Sequence, residues 1–195
     1  MNIKGIIHVG AHYGQEYEIY KRCGVNNSHM IFFEPLTKNF KVLKNHLGDE
    51  VTLVKKALGN QNTNVKMHVK RANDGMSSSV LKPKKHLELY PQIVFDSEEI
   101  VEMVRLDYFL GAKEKYNFRV IDVQGYELEV FKGGVKTLDN IEYIITEVNK
   151  DEWYENCTMI EDLDKFLGQL GFDRVETNWE GGVWGDAFYV KSNVL

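Results

Sequence analysis

A short apolar run broken by two glycines sets the frame for the chain. Ile6-Ile7-His8-Val9 reads as a buried strand. Gly10-Ala11-His12-Tyr13-Gly14-Gln15-Glu16 follows, and then a segment with helical spacing. A strand, a tight glycine turn and a helix start open an α/β domain, and ligands of such domains dock at the carboxyl end of the first strand. Glycine lets that turn take φ > 0 and lets a ligand come close to the backbone. The spacing is G-x-x-x-G, which departs from the G-x-G-x-x-G dinucleotide fingerprint, and the G-K-[ST] of a phosphate loop is absent. No Lys or Arg stands between Gly10 and Tyr20 to meet a pyrophosphate.

A second strand strengthens the reading. Met30-Ile31-Phe32-Phe33 ends in Glu34 and is stopped by Pro35, which has no N–H to give to a ladder. Glu34 follows Gly10 at close to the roughly 20-residue offset at which a strand-end carboxylate accepts hydrogen bonds from a ribose diol. The loop and the acid together fit a cofactor that carries an adenosine and no phosphate, of which S-adenosylmethionine is the common one.

Bulk properties narrow the class. A chain of 195 residues, 43% hydrophobic and 27% charged, predicts one globular domain over 1–195 with a single core. A net charge of −5 disfavours general nucleic-acid binding. No apolar run approaches the ~20 residues of a membrane span, and Met1-Asn2-Ile3-Lys4 leads straight into the first strand, so no signal peptide is expected. Cys23 and Cys157 form no CxxC pair and read as reduced thiols of a cytoplasmic protein.

Further along, Tyr13 to Cys23 predicts a first helix, and Thr37 is placed to cap a second over 38–47, with Phe40, Leu43 and Leu47 on its apolar side. Val51–Val54 reads as the third strand. Ala57-Leu58-Gly59 is small enough to lie against a flat adenine ring. Val65–Lys70 and Ile100–Asp107 alternate like half-exposed strands, and Ser77, Ser78 and Ser79 form a polar loop facing the cofactor or acceptor side of a cleft. Lys82, Lys84 and Lys85 make a basic cluster, read as a solvated patch, with a phosphate-bearing acceptor as the sharper alternative. Phe118 to Gly125 predicts a central strand that ends in Asp122, and Ile141–Val148 another that ends in Glu147. Thr158 is placed to cap a helix over 159–170, and strands at 172–177 and 187–190 close the chain. Strand–helix alternation with a final hairpin-like pair predicts an α/β fold with a mostly parallel central sheet, helices on both faces and a C-terminal antiparallel strand pair.

These blocks together resemble the FkbM-type S-adenosylmethionine-dependent methyltransferases along the whole chain. Val9 to Glu16 is similar to the first cofactor motif of that family, and Phe33-Glu34-Pro35 to its acidic strand end. Ile121-Asp122-Val123-Gln124-Gly125-Tyr126-Glu127 through Gly134 is the most specific block. Thr146-Glu147-Val148-Asn149 and Trp184-Gly185-Asp186 resemble the closing blocks of one branch. The resemblance implies a class I methyltransferase (Rossmann-like) fold and O-methylation of a sugar or glycan. Two departures stand out: many members carry Asp at the position of His8 and Glu at that of Gln124. His8 reads as structural, and Gln124 takes a carboxylate away from the turn.

Site assignments follow. Gly10, Ala11, His12, Gly14, Gln15, Glu34 and Pro35 are the expected cofactor contacts on the first two strands. Ala57, Leu58, Ser77, Ser78, Asp122 and Val123 complete them. Asp122 is the first candidate to accept a proton from the acceptor hydroxyl, and it is equally placed to hold the amino group of the cofactor. Glu147 is the second candidate base, and His12 the third. His86, Tyr90, Asn149, Trp184 and Asp186 are the expected acceptor contacts, with Trp184 offering an apolar face to a sugar ring. Asp122, Glu147 and Asp186 are chemically able to hold a metal, but with no dense ligand cluster the expectation is no metal. A catalytically inactive binding domain on the same fold is the alternative, and a dehydrogenase suffers from the missing dinucleotide fingerprint.

Overall fold

The computed structural model of the chain describes residues 1–70, 74–85, 97–110, 115–180 and 182–194. Seven strands make the central sheet: β1 (Ile6–Val9), β2 (Met30–Phe33), β3 (Thr52–Val54), β7 (Phe118–Ile121), β8 (Tyr143–Asn149), β9 (Phe172–Glu180) and β10 (Trp184–Lys191). Their order is β3-β2-β1-β7-β8-β10-β9. The first five in that row are parallel, and β10 runs antiparallel to both β8 and β9. The predicted architecture is therefore present. The strand order reverses between β1 and β7, which leaves a crevice at the carboxyl ends of those two strands, where ligands bind in open α/β sheets.

Near-continuous apolar sequences explain the parallel strands, since a parallel sheet is buried on both faces. Ile6, Met30 and Phe32 point to one face, and Ile7, Ile31 and Phe33 to the other. Helices α1 (Tyr17–Arg22) and α2 (Thr37–Leu47) cover the first face, with Tyr17, Tyr20, Leu43 and Leu47 buried against it. Three helices lie on the side of the second face: α3 (Leu106–Phe109), α4 (Glu127–Lys132) and α5 (Ile160–Gln169). From α5, Ile160, Leu163 and Leu167 enter the core at the helical repeat read from the sequence.

Several boundaries differ from expectation. The first helix starts at Tyr17 because 13–16 are spent in the glycine loop. Leu106-Asp107 opens α3 instead of ending a strand, and the Asp107 carboxylate accepts the N–H groups of Lys136 and Thr137 at 3.1 and 3.0 Å. Neither threonine caps the helix assigned to it. Thr37 Oγ1 is taken up by Glu99, while Thr158 Oγ1 accepts the Leu128 N–H at 3.1 Å and so serves the first turn of α4.

The half-exposed strands form a sheet of their own, in the order β4 (Ala57–Leu58), β6 (Ser97–Val104), β5 (Thr63–Val69). One face carries Ala57, Met67, Val101 and Met103 into a small core with Leu36. The other face carries charge, as in the Lys66–Glu98 pair at 2.8 Å. A one-sided pattern of this kind has no place inside a sheet covered on both faces.

Candidate functional site

The glycine loop is built by strand ends that almost touch. Gly10 has φ +79°. Its N–H and that of Ala11 both donate to the Phe33 carbonyl at 3.0 Å, while Asp122 N–H donates to the Val9 carbonyl at 3.0 Å. A Cβ on Gly10 would lie 1.8 Å from the Asp122 carbonyl oxygen. Glycine is thus required by the meeting of β1 and β7 as well as by the turn. Gly14 (φ +74°) faces away from the crevice, and a Cβ there would press on Leu43 Cδ1 at 2.8 Å. His12 is held in left-handed backbone (φ 47°) with both ring nitrogens engaged, one with Gln15 at 2.9 Å and one with the Asp74 carbonyl at 3.0 Å.

Glu34 leaves the end of β2 and is 4% exposed. Its Oε2 accepts the His12 N–H at 3.0 Å and its Oε1 the Leu36 N–H at 2.9 Å. Each carboxylate oxygen has two lone pairs, so both can still accept from a ligand. Burial pushes its pKa up to about 7, against the pull of those two N–H groups. Glu127 is also raised to about 7 by burial, with like charge from Asp122 adding to it. A raised carboxyl stabilises the fold below its unfolded pKa of 4.5 and loses that contribution as pH rises through the folded value. Buried His8, depressed to about 4 from 6.5, works the other way, but only below pH 6.5. The ligand-free protein therefore loses about 1 kcal/mol between pH 6.5 and 7.5. Denaturant titration at the two pH values measures this, and Glu34→Gln flattens the slope.

Three carboxyl groups meet at the ends of β7 and β8. Gln124 Nε2 donates to Asp122 Oδ1 at 2.7 Å and to Glu147 Oε2 at 2.6 Å. Asn149 Nδ2 donates to Glu147 Oε1 at 3.2 Å. Glu127, 1% exposed, uses Oε1 to accept the N–H groups of Val123 and Gly125 at 3.1 and 3.0 Å, which shapes the turn after Asp122. Burial pushes Glu147 well above the carboxylate range, and the neighbouring Asp122 and Glu127 add to it. Asp122 is open to water on the crevice side and enclosed by protein elsewhere. Burial raises it too, while the Gln124 bond opposes the rise.

Around these groups lies a cavity of about 770 Å³. Ala11, His12, Gln15, Glu34 and Pro35 line it from the side of β1 and β2, with Gly10 at the turn. Ala57, Leu58, Ser77 and Ser78 form another wall, joined by Leu36 and Val80. Asp122, Val123 and Glu147 line the β7–β8 side. Asn149, Trp184 and Asp186 lie beside them. The antiparallel register sets Asp186 opposite Glu147 and Trp184 opposite Asn149. Every described residue assigned from the sequence to the cofactor, the base or the acceptor lines this cavity except Gly14. His86 and Tyr90 lie outside the described residues. Lys85 pairs with Asp151 at 2.8 Å and Lys84 with Glu152, so two lysines of the basic cluster are already matched by acids.

Sequence reasoning missed three contributors. Glu16 lines the cavity beside Asp122 and is raised mainly by burial. The Tyr154 hydroxyl stands between the Ser77 carbonyl at 2.8 Å and Gln124 Oε1 at 3.1 Å. Ser79 is fully buried and donates to the Gln124 carbonyl at 2.8 Å. Glu16 sits inside the glycine motif and was in that sense visible. The other two reach Gln124 from distant parts of the chain, and no local pattern marks them. His8 lies on the α1 face, with Nδ1 2.9 Å from the Tyr20 hydroxyl, between the Tyr20 and Phe32 rings.

Comparison with known proteins adds to this geometry. The sequence profile described as the Methyltransferase FkbM domain matches residues 8–174. The 2-O-methyltransferase NoeI of Sinorhizobium fredii is 30% identical over 132 residues, which is 63% of this chain and 54% of that protein. The chain therefore spans about half the length of that curated relative. Among solved structures, a methyltransferase FkbM from Methylobacillus flagellatus KT superposes with a TM-score of 0.64 at 13% identity, covering 97% of this chain and 44% of that one. Magnesium protoporphyrin IX methyltransferase (ChlM) from Synechocystis PCC 6803 with bound SAM gives 0.53 at 12% identity, covering 96% and 69%. Both likenesses show a class I methyltransferase fold.

Proposed function

The chain belongs to the FkbM methyltransferase family, and from that premise we propose that it transfers a methyl group from S-adenosylmethionine to a hydroxyl of a sugar or glycan. One observation carries the proposal: Glu34 and Asp122 line one cavity from opposite sides of the glycine loop, each at the end of a strand next to β1. Glu34 is placed to accept a ribose diol, and Asp122 to serve the reacting hydroxyl. The relative's name supplies the chemistry of the product, an O-methyl group.

The residues fit the cofactor. Glu34 keeps free lone pairs toward the cavity. Leu36, Ala57, Leu58 and Val80 offer apolar surface for a flat base. Glu16 and Asp122 offer carboxylates to an ammonium group. The glycine loop holds no cation for a pyrophosphate, which matches a cofactor without one. When bound, S-adenosylmethionine supplies an electrophilic methyl group on a sulfonium centre.

The protein has two tasks. It must hold the hydroxyl in line for displacement, which is a matter of positioning. It must also take the proton that the hydroxyl loses as its oxygen bonds to carbon. Asp122, with Oδ1 held by Gln124, accepts the proton and later returns it to water. Trp184 and Asn149 are positioned to hold the sugar ring, with Asp186 as a hydrogen-bond acceptor for its other hydroxyls.

The proposal is tested with methyl-labelled S-adenosylmethionine and a panel of free, nucleotide-linked and conjugated sugars. Label is expected in an alkali-stable methyl ether and is lost when the target hydroxyl is replaced by hydrogen. Label found only on nitrogen or carbon acceptors contradicts it.

A further inference from the structure

Gln124 sits two residues after Asp122, in the turn between β7 and α4, with left-handed backbone at φ 57°. That conformation costs a residue other than glycine about 1–2 kcal/mol, and the turn is held from both sides. Ser79 donates to the Gln124 carbonyl, and Glu127 gathers the N–H groups of Val123 and Gly125. The side-chain amide is used at both ends. Its nitrogen has two N–H groups, one directed to Asp122 Oδ1 at 2.7 Å and one to Glu147 Oε2 at 2.6 Å. Its oxygen faces the Tyr154 hydroxyl at 3.1 Å, whose one hydrogen it shares with the Ser77 carbonyl at 2.8 Å. Turned over, the amide would set its oxygen against two carboxyl groups, so the network admits one orientation.

We infer that Gln124 is the positioning residue of the proposed methyl-transfer site: its amide keeps Asp122 as the ionised, proton-accepting partner and leaves the proton of the carboxyl pair on Glu147. The inference rests on the reading of Asp122 as the base. Two carboxyl groups bound to one amide nitrogen do not both ionise readily, because each disfavours the charge of the other. The pair is asymmetric. Glu147 is 6% exposed, whereas Asp122 opens on the crevice. The other charged groups acting on Asp122 are Glu127 from α4, Glu34 from the end of β2, Glu16 and His12 from the glycine loop, and Asp186 from β10. All but His12 push its proton affinity up. The Gln124 amide is the first donor that offsets them, joined by the Glu147 carboxyl and the Gln124 backbone N–H.

The test needs neither cofactor nor acceptor. Protein labelled with ¹³C at the Asp and Glu side-chain carboxyls is titrated by NMR, with Asp122→Asn and Glu147→Gln assigning the two signals. Wild type is expected to show Glu147 protonated and Asp122 ionised at neutral pH. Gln124→Met removes the donor without adding charge and is expected to raise the Asp122 midpoint by about one pH unit. Tyr154→Phe is expected to raise it by less. Should Gln124→Met fail to fold, Gln124→Asn suits the left-handed backbone and is too short to span both carboxyls, so it carries the same expectation. An unchanged Asp122 midpoint in the folded Gln124 variant overturns the inference, as does a Glu147 that titrates in the ordinary carboxylate range. With an acceptor in hand, the acid limb of the rate profile moves with the Asp122 midpoint. Failure of the base reading shows separately, as full activity in Asp122→Asn with the titrations as described.

Discussion

Asp122→Asn is expected to lower the rate of methyl transfer by about 10²–10⁴-fold, the usual worth of a positioned general base. The substitution keeps the size of the side chain and the backbone bond from Asp122 N–H to the Val9 carbonyl, so the loop survives. What it removes is the carboxylate that accepts the proton in the proposed scheme. Asp122 is also near enough to the cofactor pocket to hold an ammonium group, and the two roles separate in the kinetics. As the base, its loss falls on the rate at saturating cofactor, and the cofactor Kd changes by less than about tenfold. As an ammonium holder alone, its loss falls on Kd and the saturated rate is kept. Glu147→Gln is milder in the proposed scheme, because a neutral amide resembles the protonated carboxyl it replaces.

Gly10→Ala is expected to cost about 4 kcal/mol, at the severe end for one methyl group. Part of this is the left-handed φ of +79°, which disfavours alanine by about 1–2 kcal/mol. The larger part is steric, since the new Cβ would fall 1.8 Å from the Asp122 carbonyl oxygen. Neither strand end can yield easily. Gly10 and Ala11 are bonded to Phe33, and Asp122 to Val9. For a chain of this length the thermal midpoint should drop by about 10 °C, and Asp122 should be displaced along with the loop. Thermal unfolding followed by circular dichroism checks the first, and the ¹³C titration of Asp122 checks the second. Gly24→Ala, where a Cβ meets nothing within 4 Å, serves as the control for backbone strain alone.

Much of this arrangement was legible in the sequence because it is local. A strand, its glycine turn and the next strand's terminal acid follow one another within the first 35 residues, and periodicity fixes which side chains are buried. The block from Ile121 to Gly134 is equally local, since Glu127 organises a turn only two residues away. The threonine caps failed for a different reason. A hydroxyl near a helix start was offered better partners by the tertiary structure, Glu99 for Thr37 and the Leu128 N–H for Thr158. The separate three-stranded sheet was hidden because β4 and β6 pair across more than forty residues, with Ala57 aligned on Met103. Gln124 shows the limit most clearly. By sequence it reads as a lost carboxylate. In space its amide joins Asp122, Glu147 and Tyr154.

The central claim is that the crevice between β1, β2 and β7 holds S-adenosylmethionine through Glu34. Calorimetric titration with S-adenosylmethionine and S-adenosylhomocysteine, with NAD as control, tests it most directly. The account predicts that both bind and NAD does not. Affinity should rise with pH through about 7, because ribose hydroxyls donate to the ionised form of a Glu34 that burial holds near that value. Glu34→Ala should weaken binding by about 100-fold, the loss of two hydrogen bonds to a charged group. Absence of binding by either ligand, or binding unchanged in a folded Glu34→Ala protein, contradicts the account.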